Sequence, residues 1–482
     1  MSRAIPAKTW SRRQFLRTCG AVTLGFVAYQ RTFDHGVNLL ARAAVASQGY
    51  GPLIPDSAGV IDLPEGFTAR IVARAGEEMA DGLVVPGLPD AMGAFAGPDG
   101  TTIVVCNHET LWAKDGPFGP DNARLATVSP AKLYDLGAGM TPCPGGTTTI
   151  VWDTRSHTLV RQYQSLAGTL RNCAGGCTPW GSWISCEEIV LTAGYHDEEK
   201  VHLQKDHGYC FEVPAGAAGL VDPVPLRAMG RFMHEAVAVD PRTGIVYLTE
   251  DREDGLIYRF LPGERGNLRA GGRLQAMGLR SGLSDTSNWP GVTETMPIGS
   301  RNPVRWIDLD DIEAPDDDLR HRGHAAGACR FARGEGAWAG DGELFFVCTS
   351  GGQRQVGQIF RYVPSISEGT GAEDSTPGRL ELFIEPNAPD SLVNPDNITV
   401  SPWGDIIACE DTGGNDARLI GVTRDGDLYP FAHSRRHGEF AGAVFSPDGS
   451  TLFVNLQQEG LTLAIDGPWK RPRGHHSAGR AE

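Results

Sequence analysis

A strand–turn–strand unit that recurs along the chain constrains the fold most strongly. Each copy has a short β-rich run, a turn in which Pro is followed by Gly, and a second run that ends in polar or acidic residues. Clear copies are GAFAGPDGTTIVVCNHE (93–109), EAVAVDPRTGIVYLTEDR (235–252), DNITVSPWGDIIACEDTG (396–413) and GAVFSPDGSTLFVNLQQEG (442–460). Pro fixes φ at the first corner of such a turn, and Gly accepts a positive φ further on. The pattern predicts antiparallel pairs of β-strands.

The spacing of these units predicts the architecture. A third strand often follows the pair, as in GLIYRFLP (255–262), GQIFRYVP (357–364) and LIGVTRDGDLYPFA (419–432). Antiparallel sheets repeated at intervals of roughly 40–60 residues are typical of a β-propeller. We therefore predict an all-β fold, a six-bladed β-propeller with loop and short helical insertions. A large sandwich of two sheets is the alternative architecture.

The N-terminus indicates export. Arg12 and Arg13 precede a mildly apolar run (18–29), and small residues follow up to Ala44-Val45-Ala46. This order is typical of a twin-arginine signal peptide, and the apolar run is too short for a stable membrane span. We predict a signal peptide over 1–46 and one β-propeller domain over 47–482. The prediction implies the twin-arginine translocase as a partner and a periplasmic or secreted location; a frayed basic helix is the alternative.

Charge excludes one class of partner and raises a question about the acids. The net charge of −16 makes nucleic acid a poor partner, because basic residues would have to neutralise its phosphates. Acids end several of the predicted strands, and the inner strands of a propeller converge on a central channel. Converging carboxylates repel one another unless cations lie between them, and calcium prefers such oxygen ligands. The candidates are Asn107-His108-Glu109, Cys186-Glu187-Glu188, His234-Glu235, Glu250-Asp251, Arg333-Gly334-Glu335, Asp396-Asn397 and Glu410-Asp411.

The cysteines allow more than one interpretation. An odd number, nine, follows the predicted signal peptide, and several lie in apolar strand-like runs where Cys packs as a small hydrophobe. The segment RNCAGGCTPWGSWISCEE (171–188) is richest in them. Cys173 and Cys177 have a spacing that zinc accepts, but no second pair completes four ligands. Cys173 is therefore either a metal ligand of another kind or a buried thiol, while Cys177 and Cys186 are expected to be structural.

Several motifs together resemble the PhoX alkaline phosphatases. They are GTLRNCAGGCTPWGSWISCEE, HGYCFEVP, FMHEAVAVDPRTGIVYLTEDR, the triplet Arg333-Gly334-Glu335, PDNITVSPWGDIIACED and EFAGAVFSPDGSTLFVNLQ, in this order over roughly Pro64 to Leu461. The resemblance implies a six-bladed propeller that hydrolyses small phosphate monoesters with Fe3+ and Ca2+ ions in its channel. It also implies that Cys173 binds iron and that Arg333 holds phosphate.

The resemblance assigns roles to further residues by their place in these motifs. Metal-binding acids of the family correspond to Glu188 or its neighbour Glu187, to Glu235 and to Glu335, which stands beside Arg333 in the catalytic set. We expect calcium ligands among Glu109, Asp396, Asn397, Glu410 and Glu439. A second phosphate-binding arginine is not placed, although Arg435 and Arg436 precede Glu439.

Elementary chemistry agrees with these roles. A thiolate with carboxylates can bind ferric iron, and an arginine can hold phosphate oxygens with two hydrogen bonds. Side chains alternate along a strand, so Glu335 shares a side with Arg333, and Glu188 rather than Glu187 shares a side with Cys186. His234 either orients the site or is structural. We expect a monomer. The alternatives in function are a calcium-dependent propeller hydrolase of the lactonase or phosphotriesterase type, and a non-catalytic exported calcium-binding propeller.

Overall fold

The strands form where β-branched and aromatic residues are concentrated. The computed structural model describes residues 49–139, 141–388, 391–414 and 416–470, so the predicted signal peptide lies outside the described residues. Second strands of the repeated unit, such as VYLTE, LFFVC and IIACE, are buried along their whole length. Because these strands lie inside a blade that other blades cover on both faces, they read as continuous apolar runs rather than as alternating ones.

Six antiparallel groups of strands follow one another along the chain. A short pair, β1 (Leu53–Ile54) and β2 (Leu63–Pro64), precedes β3 (Thr68–Arg74). Blade 1 contains β4 (Pro89–Ala96), β5 (Thr101–His108), β6 (Gly145–Asp153) and β7 (Thr158–Thr169). Blade 2 contains β8 (Asn172–Cys177), β9 (Ser182–Glu187) and, after the hairpin β10 (Gly194–His196) and β11 (Val201–Leu203), β12 (Cys210–Pro214).

The remaining blades repeat the same order. Blade 3 contains β13 (His234–Val239), β14 (Val246–Glu250), β15 (Ile257–Pro262) and β16 (Gly272–Leu279). After β17 (Arg301–Asp308), blade 4 contains β18 (Gly334–Ala339), β19 (Leu344–Cys348), β20 (Gln358–Val363) and β21 (Arg379–Ile384). Blade 5 contains β22 (Pro395–Val400), β23 (Ile406–Glu410), β24 (Arg418–Val422) and β25 (Leu428–His433), and blade 6 contains β26 (Phe440–Phe445), β27 (Thr451–Leu456) and β28 (Leu461–Asp466).

The blades close into a ring, which confirms the predicted propeller. The first strand of each blade contacts the first strand of the next blade, and β26 contacts β4. Strand β3 from the N-terminal side completes blade 6 by pairing with β28, so that distant parts of the chain share one sheet. Strand β17 bridges the outer edges of blades 3 and 4 by pairing with β16 and β21.

Insertions between strands follow the expectation of loops and short helices. Helix α1 (Leu319–Ala325) lies between β17 and β18. Single 3-10 turns lie at Pro98–Gly100, Ala113–Asp115, Pro120–Asn122, Leu125–Thr127, Pro130–Lys132, Gly137–Gly139, Arg227–Met229, Leu268–Ala270 and Glu373–Ser375. The residues between β5 and β6 (109–144) and those between β9 and β12 (188–209) form two long insertions next to blades 1 and 2.

The inner strands pack closely because glycine removes side chains where blades meet. A Cβ atom on Gly176 would lie 1.9 Å from the backbone oxygen of Val237 in the next blade. The nine cysteines from Cys106 to Cys409 are free thiols, and all but Cys177 are buried. Among the described residues, no helix has the length and apolar character needed to cross a membrane.

Candidate metal centre

A β-bulge at the same place in the inner strands presents one side chain per blade. In blades 1 to 5 the first residue of the inner strand pairs with the second strand, the next two residues are unpaired, and pairing resumes at the fourth. Such a bulge redirects side chains and often lies beside an active site. The first unpaired residue in each of these blades is an acid or a cysteine: Asp90, Cys173, Glu235, Glu335 and Asp396.

Blade 6 keeps the bulge but not the side chain. Its unpaired residues are Gly442 and Ala443, with Gly442 at φ 64°. A Cβ atom on Gly442 would lie 2.2 Å from the backbone oxygen of Asp90 in blade 1. The close approach of these two blades therefore requires a glycine where the other five blades have an acid or a thiol.

The bulge residues, together with Glu188 from the end of the second strand of blade 2, form two overlapping groups that could hold metal ions. One ligand atom each from Cys173, Glu188 and Glu235 lies within 4.8 Å of the other two, and the same holds for Glu235, Glu335 and Asp396. The Cys173 thiol donates to Glu235 Oε2 at 2.8 Å. Because Glu235 belongs to both groups, a thiol-containing set of ligands adjoins an all-carboxylate set.

The second strands contribute another layer of acids. In blades 1, 2, 3 and 5 the residue that follows the second strand is Glu109, Glu188, Asp251 and Asp411, respectively. Glu188 lies within hydrogen-bonding reach of Asp251. Gln457 of blade 6 donates to Glu109 at 2.9 Å and to Asp90 at 3.0 Å. Acids from blades that are far apart in sequence therefore surround one point.

Burial and mutual repulsion make this set costly to ionise without cations. Burial raises the pKa of Glu188, Glu235, Glu335 and Asp90 well above the usual range, and neighbouring carboxylates raise it further. Burial also raises the pKa of Asp396 to about 7.

Other members of the set behave in the same way. Glu439 has a pKa raised to about 9, first by burial and then by Asp396 and Asp411. The Cys173 thiol is raised well above its usual pKa by burial and then by Glu235. One carboxylate oxygen, Asp396 Oδ1, is buried and has no hydrogen-bond partner. Bound cations would favour the ionised forms and occupy such an oxygen, so these residues fit a metal centre.

Two arginines lie at equivalent positions in blades 2 and 4. Arg171 and Arg333 immediately precede the inner strand, and both have positive φ, 43° and 56°. Arg333 binds Asp251 with two hydrogen bonds of 2.7 and 2.9 Å and donates to Glu335 at 2.8 Å. Arg171 donates to Glu109 at 2.5 and 3.0 Å and to Glu188 at 2.8 Å. Their side chains keep 32% and 39% of their surface exposed, so both can reach a bound anion.

The structure does not bring two of the predicted acids into this set. Glu187 accepts hydrogen bonds from the backbone N–H groups of Leu170, Gly208 and Tyr209 and from His207. Glu410 accepts from the Val393 N–H and from both ends of the Arg418 guanidinium. Strand alternation turns both side chains away from their neighbours Glu188 and Asp411, so both acids have structural partners.

The remaining residues that the sequence singled out bond to the backbone or to acids outside the two groups of potential ligands. Asn397 is the second unpaired residue of the blade 5 bulge and accepts from the Gly442 N–H at 2.9 Å, which joins blades 5 and 6. His234 bonds to Gly230 and Cys210, and burial lowers its pKa to about 4, which fits a structural role. Arg435 pairs with Asp62, and Arg436 pairs with Glu459.

Asp90 and Arg171 are the members of the site that motif reasoning did not select. The repeated unit contained a signal for Asp90. The segment DAMGAFAGPDG aligns with EAVAVDPRTG, and the alignment places Asp90 at the position that is equivalent to Glu235. Arg171 stands before the inner strand of blade 2 as Arg333 does before that of blade 4. The arrangement of the blades in a ring shows that Arg171 and Arg333 occupy equivalent positions, as do Asp90 and Glu235.

Comparison with known proteins places these observations in a family. The sequence model described as "Alkaline phosphatase PhoX" matches residues 48–460. The structure of Pseudomonas fluorescens PhoX in complex with vanadate, a transition state analogue, aligns with a TM-score of 0.65 at 17% identity and covers 87% of this chain and 97% of that chain.

More distant matches also exist. An auxiliary nutrient binding protein from Bacteroides ovatus aligns with a TM-score of 0.42 at 6% identity and covers 84% of this chain and 77% of that chain. A Xanthomonas campestris gluconolactonase aligns with a TM-score of 0.35 at 13% identity and covers 87% of this chain and 98% of that chain. No protein of curated function matches the sequence.

Proposed function

Because this chain belongs to the PhoX alkaline phosphatase family and is a phosphatase, we propose that it hydrolyses small phosphate monoesters at iron and calcium ions in the propeller channel. The observation that carries the proposal is the position of Cys173, a thiol in the same bulge position that is occupied by carboxylates in four other blades. A thiolate beside carboxylates suits iron, whereas carboxylates alone suit calcium.

The two overlapping groups divide these ions between them. Cys173, Glu188 and Glu235 would hold iron, and Glu235, Glu335 and Asp396 would hold calcium. Bound ions would supply Lewis-acid polarisation of phosphate oxygens and an activated oxygen nucleophile at moderate pH. Their charge would also offset the acids that otherwise repel a phosphate ester.

Arg333 and Arg171 would bind the phosphate group from two sides of the channel. Both guanidinium groups now pair with acids of the site, Arg333 with Glu335 and Arg171 with Glu188. When those carboxylates ligate cations, guanidinium N–H groups become available for phosphate oxygens, which arginine binds bidentately. Arg171 thereby supplies the second arginine, in place of Arg435 and Arg436.

Export through the twin-arginine translocase completes the proposal. That route carries folded proteins and would allow the metals to be inserted before transport to the periplasm or beyond. The mature protein would then act as a monomer on small phosphate esters.

Metal analysis combined with an activity assay tests the function. Mature protein, folded in the cytoplasm and exported, would be assayed for iron and calcium and for hydrolysis of an aryl phosphate with and without added calcium. We expect both metals, activity that depends on calcium, and loss of iron and activity in Cys173→Ala. Cys177→Ala, on the same strand, is the matched control and should retain both.

Two results would contradict the proposal. Calcium without iron, together with no hydrolysis of the phosphate monoester, would leave a calcium-dependent propeller hydrolase of another type or a non-catalytic propeller. Full activity in Cys173→Ala would remove the thiolate from the mechanism.

A further inference from the structure

A second cluster of potential ligands lies outside the channel centre, between the two long insertions. Asp135 and Cys143 belong to the insertion at 109–144, and His207 belongs to the insertion at 188–209. One ligand atom from each of the three lies within 4.8 Å of the others. All three residues are buried, with His207 and Asp135 completely inaccessible to solvent. Two separate segments of chain therefore bring a carboxylate, a thiol and an imidazole to one point.

The two nitrogens of the His207 ring have different surroundings. Nδ1 lies 2.6 Å from Glu187 Oε1, a short hydrogen bond. Nε2 lies 3.4 Å from Asp135 Oδ2 and 4.0 Å from Cys143 Sγ, too far for a good hydrogen bond to either atom. A histidine held only by hydrogen bonds would have short contacts on both sides. The longer separations leave room for an atom between Nε2 and its neighbours.

These separations fit a tetrahedral metal ion. Zinc bonds of about 2.0–2.1 Å to nitrogen or oxygen and about 2.3 Å to sulfur place neighbouring ligand atoms roughly 3.3–3.6 Å apart. The distance from Nε2 to Oδ2 lies in this range, and the distance from Nε2 to Sγ exceeds its upper end by about 0.4 Å. A small rotation of the Cys143 side chain would close that difference.

Residues around the cluster orient His207 and Asp135 by hydrogen bonds, as the residues that surround the ligands of a metal ion usually do. A metal-binding histidine usually donates its other ring N–H to a carboxylate, which fixes the tautomer, and Glu187 occupies that place. Asp135 accepts the backbone N–H of Gly137 at Oδ1 and those of Gln204 and Lys205 at Oδ2, at 2.7 to 2.8 Å, so Oδ1 keeps the larger remaining capacity for a cation. Both carboxylates are therefore fixed by hydrogen bonds, and those to Asp135 come from both insertions.

We propose that Asp135, Cys143 and His207 form a second metal site, for a zinc-like divalent cation, separate from the channel centre. A thiolate, an imidazole and a carboxylate are the ligand types that zinc accepts. Cys143 also borders a cavity of about 200 Å3 lined by Gly137, Pro142 and His202, from which a water molecule can complete the coordination.

The site would join the two insertions beside the channel. Glu187, which orients His207, is the direct neighbour of the channel residue Glu188 and accepts from the N–H of Leu170, next to Arg171. A metal ion at this position would thus fix the backbone that presents Glu188 and Arg171. The role is structural, and the proposal does not depend on the chemistry in the channel.

Cobalt and zinc analysis in a background without the channel thiol tests the site. Mature Cys173→Ala protein from zinc-supplemented cells is expected to contain about one equivalent of zinc. Replacement of that zinc by cobalt is expected to give thiolate-to-cobalt absorption in the near ultraviolet. Cys143→Ser in the same background should abolish the absorption, and His207→Gln should lower zinc content at least tenfold. Cys177→Ser is the matched control and should change neither.

The outcomes separate this site from the proposed function. Thiolate-to-cobalt absorption that survives Cys143→Ser, or zinc absent from wild-type protein and without effect on its thermal midpoint when added, would overturn the site. Cys143→Ser is a near-isosteric change, so it keeps the test valid if His207→Gln fails to fold. A protein with zinc here but no phosphatase activity would contradict the channel chemistry alone.

Discussion

Neighbouring acids at the ends of the second strands have opposite roles. Glu187 and Glu188 follow each other in blade 2, and Glu410 and Asp411 follow each other in blade 5. The first of each pair lies opposite the first residue of the inner strand and accepts a backbone N–H from the link that precedes its blade. The second carries its carboxylate to the centre. Position in the pleat, rather than charge, separates an acid with structural partners from one that faces the centre.

The number of hydrogen bonds that each carboxylate accepts explains why Glu187 and Glu188 differ in role. Each oxygen of Glu187 accepts two hydrogen bonds from the surrounding protein. Glu188 accepts one hydrogen bond from Arg171 and otherwise faces other acids, and burial first and these acids next raise its pKa. Glu188 accepts fewer hydrogen bonds than Glu187 and therefore gains more from a nearby cation.

Replacement of the structural acid should have the largest effect. In Glu187→Ala the N–H groups of Leu170 and Gly208 and the ring of His207 lose their buried acceptor. We expect the free energy of unfolding to fall by about 3–5 kcal/mol. Chemical denaturation followed by circular dichroism would measure it. A loss below about 1 kcal/mol would show that Glu187 is not structural.

Replacement of its neighbour should affect activity instead. Glu188→Gln removes a charge that we expect to ligate a cation, while the amide keeps the shape of the side chain. We expect iron affinity and kcat/KM to fall about 10–100-fold with little change in the thermal midpoint. Steady-state kinetics and metal titration would measure the effect. Equal losses of stability in Glu187→Gln and Glu188→Gln would contradict the division of roles.

Replacement of the two arginines tests whether the basic residues beside these acids bind phosphate. Arg171→Lys and Arg333→Lys keep the charge but lose the bidentate geometry, so we expect kcat/KM for an aryl phosphate to fall about tenfold or more. The affinity for inorganic phosphate as an inhibitor should fall with it. Arg435→Lys, whose parent residue pairs with Asp62, is the control. Unchanged phosphate affinity in Arg171→Lys would remove Arg171 from the binding site.

Stability of the metal-free protein should depend on pH in a defined direction. Because the pKa values of Asp396 and Glu439 are raised to about 7 and about 9, the folded apoprotein binds more protons than the unfolded chain. Its stability therefore falls as pH rises from about 4 through 9. Calorimetry should show the thermal midpoint of chelated protein falling from pH 5 to pH 9 relative to the metal-loaded protein. A chelated midpoint that rises over this interval would contradict the electrostatic account.

Local patterns predicted the fold because turns and strands are encoded locally. The units around Pro98-Asp99-Gly100 and Pro447-Asp448-Gly449 each produced the antiparallel pair that their residues favour. Motifs also predicted Cys173, Glu235 and Glu335, which the structure brings together. The pairing of β3 with β28 joins distant parts of the chain, and a local pattern does not contain such a contact.

The remaining site residues required three-dimensional information. Glu187 and Glu410 have the same residue type and almost the same position as true members of the set, and only their hydrogen-bond partners distinguish them. Asp90 and Arg171 joined the set because closure of the ring places blade 1 and blade 2 beside the others. Charge and motif therefore identify the strand ends, and the bulge of the inner strand and the alternation of the second strand together decide which side chains face the channel.

Anomalous diffraction from crystals of the metal-loaded protein, recorded at the iron absorption edge and at a longer wavelength for calcium, tests the central claim most directly. We predict an iron peak within bonding distance of Cys173 Sγ and Glu235, and calcium peaks beside Glu335 and Asp396. Peaks beside Glu187 or Glu410, or no iron peak at Cys173, would contradict the claim that the inner-strand bulges build the metal centre.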